Sequence, residues 1–231
     1  MEKEKRPRSA LRIIVIIFVS LAVVLTLLGG IGTSCVAFGA EKYGPSMAKL
    51  VPVKGIFQAL VFLSVLAGIY GLLSTIRLAK GKAGSVKAVI LFLIAGAITS
   101  GIQFYYSATL RGSTAPNNFR LYGTLLALAI MLLMLIPGIK EKAGFESGEK
   151  KDTSNIGGAA LLVSGLVILT TTIWAAPTHI IDGYNTANEL FWPLIVAGTG
   201  CIITGGVLFV RRKVKQAVAE TARLTVDEER A

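Results

Sequence analysis

Apolar residues in this chain come in long runs rather than alternating with polar ones. Six stretches, 13–33, 55–76, 88–110, 121–139, 156–176 and 190–210, each hold 19 to 23 residues without Asp, Glu, Lys, Arg or His. About 20 apolar residues, rising ~1.5 Å each, cross a hydrocarbon core ~30 Å thick. In lipid a helix satisfies its own backbone groups, so such runs predict transmembrane helices. The pattern predicts an all-α membrane protein, a bundle of six transmembrane helices arranged as three outward-pointing hairpins. It divides the chain into a basic tail 1–12, one membrane domain 13–210 and a C-terminal tail 211–231. The outer connections fall at 34–54, 111–120 and 177–189, where Tyr43-Gly44-Pro45, Gly112-Ser113 with Pro116-Asn117-Asn118, and Gly183-Tyr184-Asn185 supply turn residues.

Charge then gives the direction of threading. The net charge of +11 is unevenly spread. One side holds 19 basic residues: Lys3, Lys5, Arg6, Arg8 and Arg12, then Arg77, Lys80, Lys82 and Lys87, then Lys140, Lys142, Lys150 and Lys151, then Arg211, Arg212, Lys213, Lys215, Arg223 and Arg230. The other side holds five: Lys42, Lys49, Lys54, Arg111 and Arg120. Excess Lys and Arg in short loops marks the cytoplasmic face, so both termini are expected in the cytoplasm and the protein in the plasma membrane. The positive charge is thus a topology signal with the lipid bilayer as partner, and no nucleic-acid role is expected. The first span is too long for the ~7–15-residue apolar core of a signal peptide, so it is expected to remain as a span. Tyr105, Tyr106, Tyr122, Trp174 and Trp192 lie near outer span ends, where interfacial aromatics anchor.

Two cysteines, Cys35 and Cys201, fall at different depths. Cys201 lies more than about 15 Å below the outer surface at ~1.5 Å per residue, whereas a disulfide needs Cα atoms within ~7 Å. No internal disulfide is expected, and Cys35 reads as a lone exposed thiol. Beyond Arg211 the tail can continue helically, with Val210, Val214, Val218 and Leu224 close to one face, an amphipathic extension suited to a membrane surface or another chain.

Inside the spans, small residues dominate the packing code. Ala197, Cys201 and Gly205 repeat every four residues, with Gly198, Gly200 and Gly206 beside them. Gly96, Ala97, Ser100 and Gly101 mark the third span, and Gly157, Gly158, Ala159, Ala160, Ser164 and Gly165 the fifth. Such residues let helix backbones approach closely, with van der Waals contact in place of a hydrophobic drive. One polar stripe accompanies them: Gly96, Ser100, Gln103 and Ser107 share a face of the third span, flanked by Thr99 and Tyr106. Thr99, Ser100, Gln103, Tyr106 and Ser107 are therefore the candidate ligand-binding residues. With Gln58, Ser164, Thr171 and Thr172 they would line a shallow outward cavity for a neutral or weakly polar ligand. The competing role for the same side chains is helix-to-helix bonding.

Catalytic and metal chemistry have little to stand on. The single histidine, His179, shares an outer loop with Asp182 and Glu189, a weak metal motif, and no metal or cofactor is expected. A His-Glu-x-x-His helix, a P-loop and paired haem histidines are absent. Ser100-Gly101 follows Ile98-Thr99 rather than the Gly-x of an intramembrane serine protease turn, and no span histidine accompanies it. The chain is expected not to be an enzyme. The favoured reading is a non-catalytic accessory or structural subunit that packs against other membrane chains or forms a homo-oligomer. The alternative is a small permease or channel for an uncharged or weakly polar solute.

Overall fold

A computed structural model describes residues 10–139, 145, 154–175, 179–181 and 184–228. Helix α1 (Ala10–Gly32) leads through a short α2 (Ser34–Gly39) into two 3₁₀ turns that flank α3 (Gly44–Ala48). Then come α4 (Lys54–Ala79), α5 (Ser85–Tyr106), a π-helical turn (Ser107–Arg111) and α6 (Asn117–Leu133). Beyond these lie α7 (Ser154–Leu169), α8 (Thr171–Ala175) and the long α9 (Phe191–Glu228). A two-residue antiparallel ladder pairs Ile180–Ile181 with Tyr184–Asn185 between α8 and α9. The C-terminal tail is helical as far as Glu228, in one continuous helix with the last apolar stretch.

Among the described residues, four helical segments are long and apolar enough to cross a membrane: Leu11–Lys42, Gly44–Ala79, Ser85–Arg111 and Phe191–Arg211. Asn117–Leu133 and Ile156–Leu169 are apolar but shorter. The expected connection 34–54 is mostly helical rather than an open loop. It packs Val36, Ala37, Ala40 and Leu50 against Phe57 and Val61 of α4. Cys35 is half-buried there, its thiol donating to the Gly32 carbonyl at 3.0 Å, so it is not the exposed thiol the sequence suggested. Cys201 is also free. Tyr105, Tyr122 and Trp192 are exposed at their helix ends.

The helices form two packing groups. In the first, α1, α4, α5 and α6 bury Val15, Val19, Val23, Leu78, Val89, Phe92, Leu93, Ala127 and Met131 in one apolar core, which Ile156 and Ala160 of α7 join. Gly71 permits the close approach of α4 and α5, since a methyl there would stand 2.6 Å from the Phe92 ring. In the second, α7 and α9 run antiparallel with glycines facing each other. A methyl at Gly205 would lie 2.9 Å from the Gly158 carbonyl oxygen, and one at Gly165 would lie 2.8 Å from that of Gly198. The seven-residue spacing of each pair keeps both glycines on one face over two turns. This corrects the four-residue code read from the sequence. Gly198 and Gly205 are buried in the contact with Cys201 at its edge, while Ala197 and Gly200 face outward.

The inner end of the first group is tied by Arg12. The sequence places this residue in the basic tail, but it lies in the first turn of α1 and is buried. Its Nη2 donates to the carbonyls of Leu78 at 3.4 Å and Ala79 at 3.1 Å. Its guanidinium also stands 5.6 Å from the centre of the Phe145 ring. A cation at the C-terminal carbonyls of α4 meets the negative end of the helix dipole.

Candidate functional site

Arg120 is the residue that sequence reading misplaced. The charge pattern places it in the outer connection 111–120, yet α6 begins at Asn117 and carries Arg120 in its first turn. The side chain is only 3% exposed. Asn117, Arg120, Thr124, Ala127 and Met131 are all buried, at spacings of three and four residues, so they form one inward face. The opposing face on α5 holds Gly96, Thr99, Ser100 and Gln103, continued by Ser107 in the π-helical turn. Arg120 therefore meets the polar stripe.

Its guanidinium ties three helices together. Nη1 donates to Gln103 Oε1 at 2.9 Å, and Nη2 donates to Thr99 Oγ1 at 2.7 Å and to Ser64 Oγ on α4 at 2.8 Å. From α1, Gly29 makes room for the stem, because a methyl there would stand 2.7 Å from Arg120 Cδ. Below the guanidinium, a methyl at Gly96 would meet Thr124 Cγ2 at 3.2 Å and Thr26 Oγ1 at 3.7 Å. The result is a polar layer, Thr26, Ser64, Thr99, Ser100, Gln103, Arg120 and Thr124, between two apolar ones. The large core lies on its inner side, and the Val36–Val61 cluster, joined by Tyr106 and Leu110, lies on its outer side.

The five candidate residues divide by role. Gln103 and Thr99 accept from Arg120, and Thr99 also donates to the Gly96 carbonyl at 3.1 Å. Ser100 is fully buried and donates to the same carbonyl at 2.6 Å, a bond back to its own helix. Ser107 accepts from Asn117 Nδ2 at 3.0 Å, one step outward of the arginine. Tyr106 is half-buried and packs on Phe57, ring centres 6.5 Å apart. The remaining polar residues named with the stripe lie elsewhere. Gln58 donates to the Ala37 carbonyl on α2 at 3.1 Å, and Ser164 and Thr171 lie on α7 and α8.

Charge balance is the layer's unusual property. No Asp or Glu occurs anywhere between Glu41 and Glu141, so α4, α5 and α6 carry none, nor does α1. Among the described residues, the acceptors around Arg120 are all neutral. A guanidinium withdrawn from water costs several kcal/mol unless an opposite charge meets it. Two donors, Arg120 Nε and Gln103 Nε2, are buried and find no acceptor among the described residues. Two further buried polar atoms, Arg111 Nε and Asn118 Oδ1, likewise find none at the outer ends of α5 and α6.

The metal motif cannot be assembled from the described residues. His179 Nδ1 lies 2.9 Å from the Ala175 carbonyl oxygen, while Asp182 lies outside the described residues. Among the described residues no group of three His, Cys, Asp or Glu converges. Within the connection 34–54, beyond the charge-free stretches, Glu41 pairs with Lys54 at 3.3 Å. Its carboxyl is held below the ordinary range first by its own backbone N–H and then by Lys54.

Comparison with protein-family models, with curated proteins and with solved structures gives no match.

Proposed function

We propose that this chain is a six-span protein of the plasma membrane, with both termini cytoplasmic, that acts as a non-catalytic structural or accessory subunit. The observation that carries this reading is the use made of Arg120. Its terminal nitrogens are bonded to side chains of α4 and α5, so the cation cross-ties the bundle. Helix α6 reaches about 26 Å at 1.5 Å per residue, and the turns up to Ile139 extend it across a bilayer. Helices α7 and α8, separated only by Thr170, together supply the fifth span. The α7–α9 pair exposes Trp192, Val196, Ile203 and Val207 on its outer side, a surface for lipid or for a partner membrane chain.

Native purification in mild detergent tests the role. Stable recovery within a larger membrane assembly, or as a defined homo-oligomer without solute flux in liposomes, is expected. A monodisperse species that conducts solute would replace this reading with the permease or channel, which the polar layer favours as the alternative. Orientation is tested in intact cells with a membrane-impermeant maleimide. In a cysteine-free background, Ser113→Cys is expected to label and Ala231→Cys to be protected.

A further inference from the structure

We infer that the Arg120 layer binds one small monovalent anion, held by the guanidinium and the Gln103 amide between α1, α4, α5 and α6. The argument starts from charge. Arg120 is positively charged at neutral pH, and none of the four helices around it holds a carboxylate. Neutral acceptors among the described residues meet three of its four terminal N–H groups but leave the charge itself uncompensated. A cation in such a position is, in membrane proteins, the mark of an ion or substrate path.

The donors then specify the site. Arg120 Nε and Gln103 Nε2 are both buried, and neither has an acceptor among the described residues. Gln103 is fixed in this orientation because its Oε1 accepts from Arg120 Nη1, which leaves its amide N–H groups to donate. The layer thus offers N–H donors and a positive charge, the chemistry that recognises a halide or a small carboxylate. Packing around the layer is tight, since a methyl at Gly29 would stand 2.7 Å from Arg120 Cδ and one at Gly30 3.1 Å from Ser64 Cβ, and for this reason the ion inferred is a small one. Valence follows from the single guanidinium; among the described residues the other buried arginine, Arg12, lies at the opposite end of the bundle. On the outer side, the Asn117–Ser107 bond and the buried polar atoms of Arg111 and Asn118 continue the polar character toward the surface. The site does not depend on whether the chain proves to be a subunit or a permease. In the first case the anion is a resident counter-ion, in the second a solute.

The test uses the full chain in detergent or nanodiscs, with thermal unfolding followed in sodium chloride, sodium formate or sodium gluconate at constant ionic strength. Chloride or formate is expected to raise the melting temperature in a saturable way, and gluconate is not. A response to chloride alone identifies a halide site, and a response to formate alone a carboxylate site. Gln103→Glu is the decisive variant, because it places a carboxylate where Oε1 already accepts from Arg120. It is expected to melt higher than the native chain in gluconate and to bind chloride or formate about tenfold more weakly or worse. Gln103→Leu keeps the arginine but removes the amide, and is expected to weaken the response while remaining folded. Identical melting of the native chain in all three salts, or an undiminished anion response in Gln103→Glu, would overturn the proposal. Flux of the anion in liposomes separates a solute from a resident ion without deciding whether it binds.

Discussion

Substituting Gly205 by alanine would place a methyl 2.9 Å from the Gly158 carbonyl oxygen and 3.2 Å from the Leu162 backbone nitrogen. Leu162 Cγ also lies 3.1 Å away, but the carbonyl oxygen and the nitrogen are backbone atoms, so no rotamer change on α7 can relieve them. The helices must move apart along a contact whose only drive in lipid is close packing. Forced overpacking of this kind costs about 1–3 kcal/mol. Alanine also forms helix better than glycine, by up to about 1 kcal/mol in an isolated helix. Gly200 on the same helix provides the control, because a methyl there meets nothing within 4 Å. The propensity gain is common to Gly205→Ala and Gly200→Ala and cancels in their difference. That difference is therefore expected to be about 1–3 kcal/mol, the packing cost alone. Reversible unfolding in mixed micelles measures it for the two variants side by side. Equal stabilities within about 0.5 kcal/mol, the scatter usual for substitutions away from a contact, would refute the glycine-facing arrangement of α7 and α9.

Three further outcomes follow from single residues. Arg12→Met removes the cation from the C-terminal carbonyls of α4 and is expected to lower stability by about 1–2 kcal/mol, with Arg12→Lys partly restoring it in the same unfolding assay. Thr26→Val removes a fully buried hydroxyl that has no partner among the described residues, and is expected to raise stability by about 1 kcal/mol. The Glu41 carboxyl has a lowered folded-state pKa, so its contribution is present at neutral pH and is lost as pH falls through that value. The melting temperature should fall on acidification into that range, and Glu41→Gln should remove this part of the dependence.

Much of the bundle was legible because lipid solvation imposes a simple rule on sequence: a span must be apolar for about 20 residues. The cores of α1, α4 and α5 follow the apolar stretches closely for that reason. The stripe of Ser100, Gln103 and Ser107 was also legible, since helical spacing alone places these residues on one face. Its partner was not. A charge marks the end of an apolar stretch and so puts Arg120 in a loop, whereas α6 starts three residues before it. Helical spacing carried one turn upstream of 121–139 would have put Arg120 on the same face as Thr124, Ala127 and Met131, opposite the stripe. The glycine contact was half legible. Small residues announced a close approach, but only the fold shows that Gly158 faces Gly205 and Gly165 faces Gly198. The connection 34–54 read as a loop because its turn residues are real. Its apolar residues, Val36, Ala37, Leu50 and Val53, nevertheless seal the outer end of the bundle.

The central claim is that Arg120 and Gln103 bind each other inside the bundle, and a double-mutant cycle tests it most directly. Unfolding free energies would be measured for the native chain, Arg120→Met, Gln103→Leu and the double variant in the same micelles and salt. With Nη1 and Oε1 2.9 Å apart and both side chains buried, a coupling energy of about 1–3 kcal/mol is expected. Strict additivity of the two single substitutions would contradict the account.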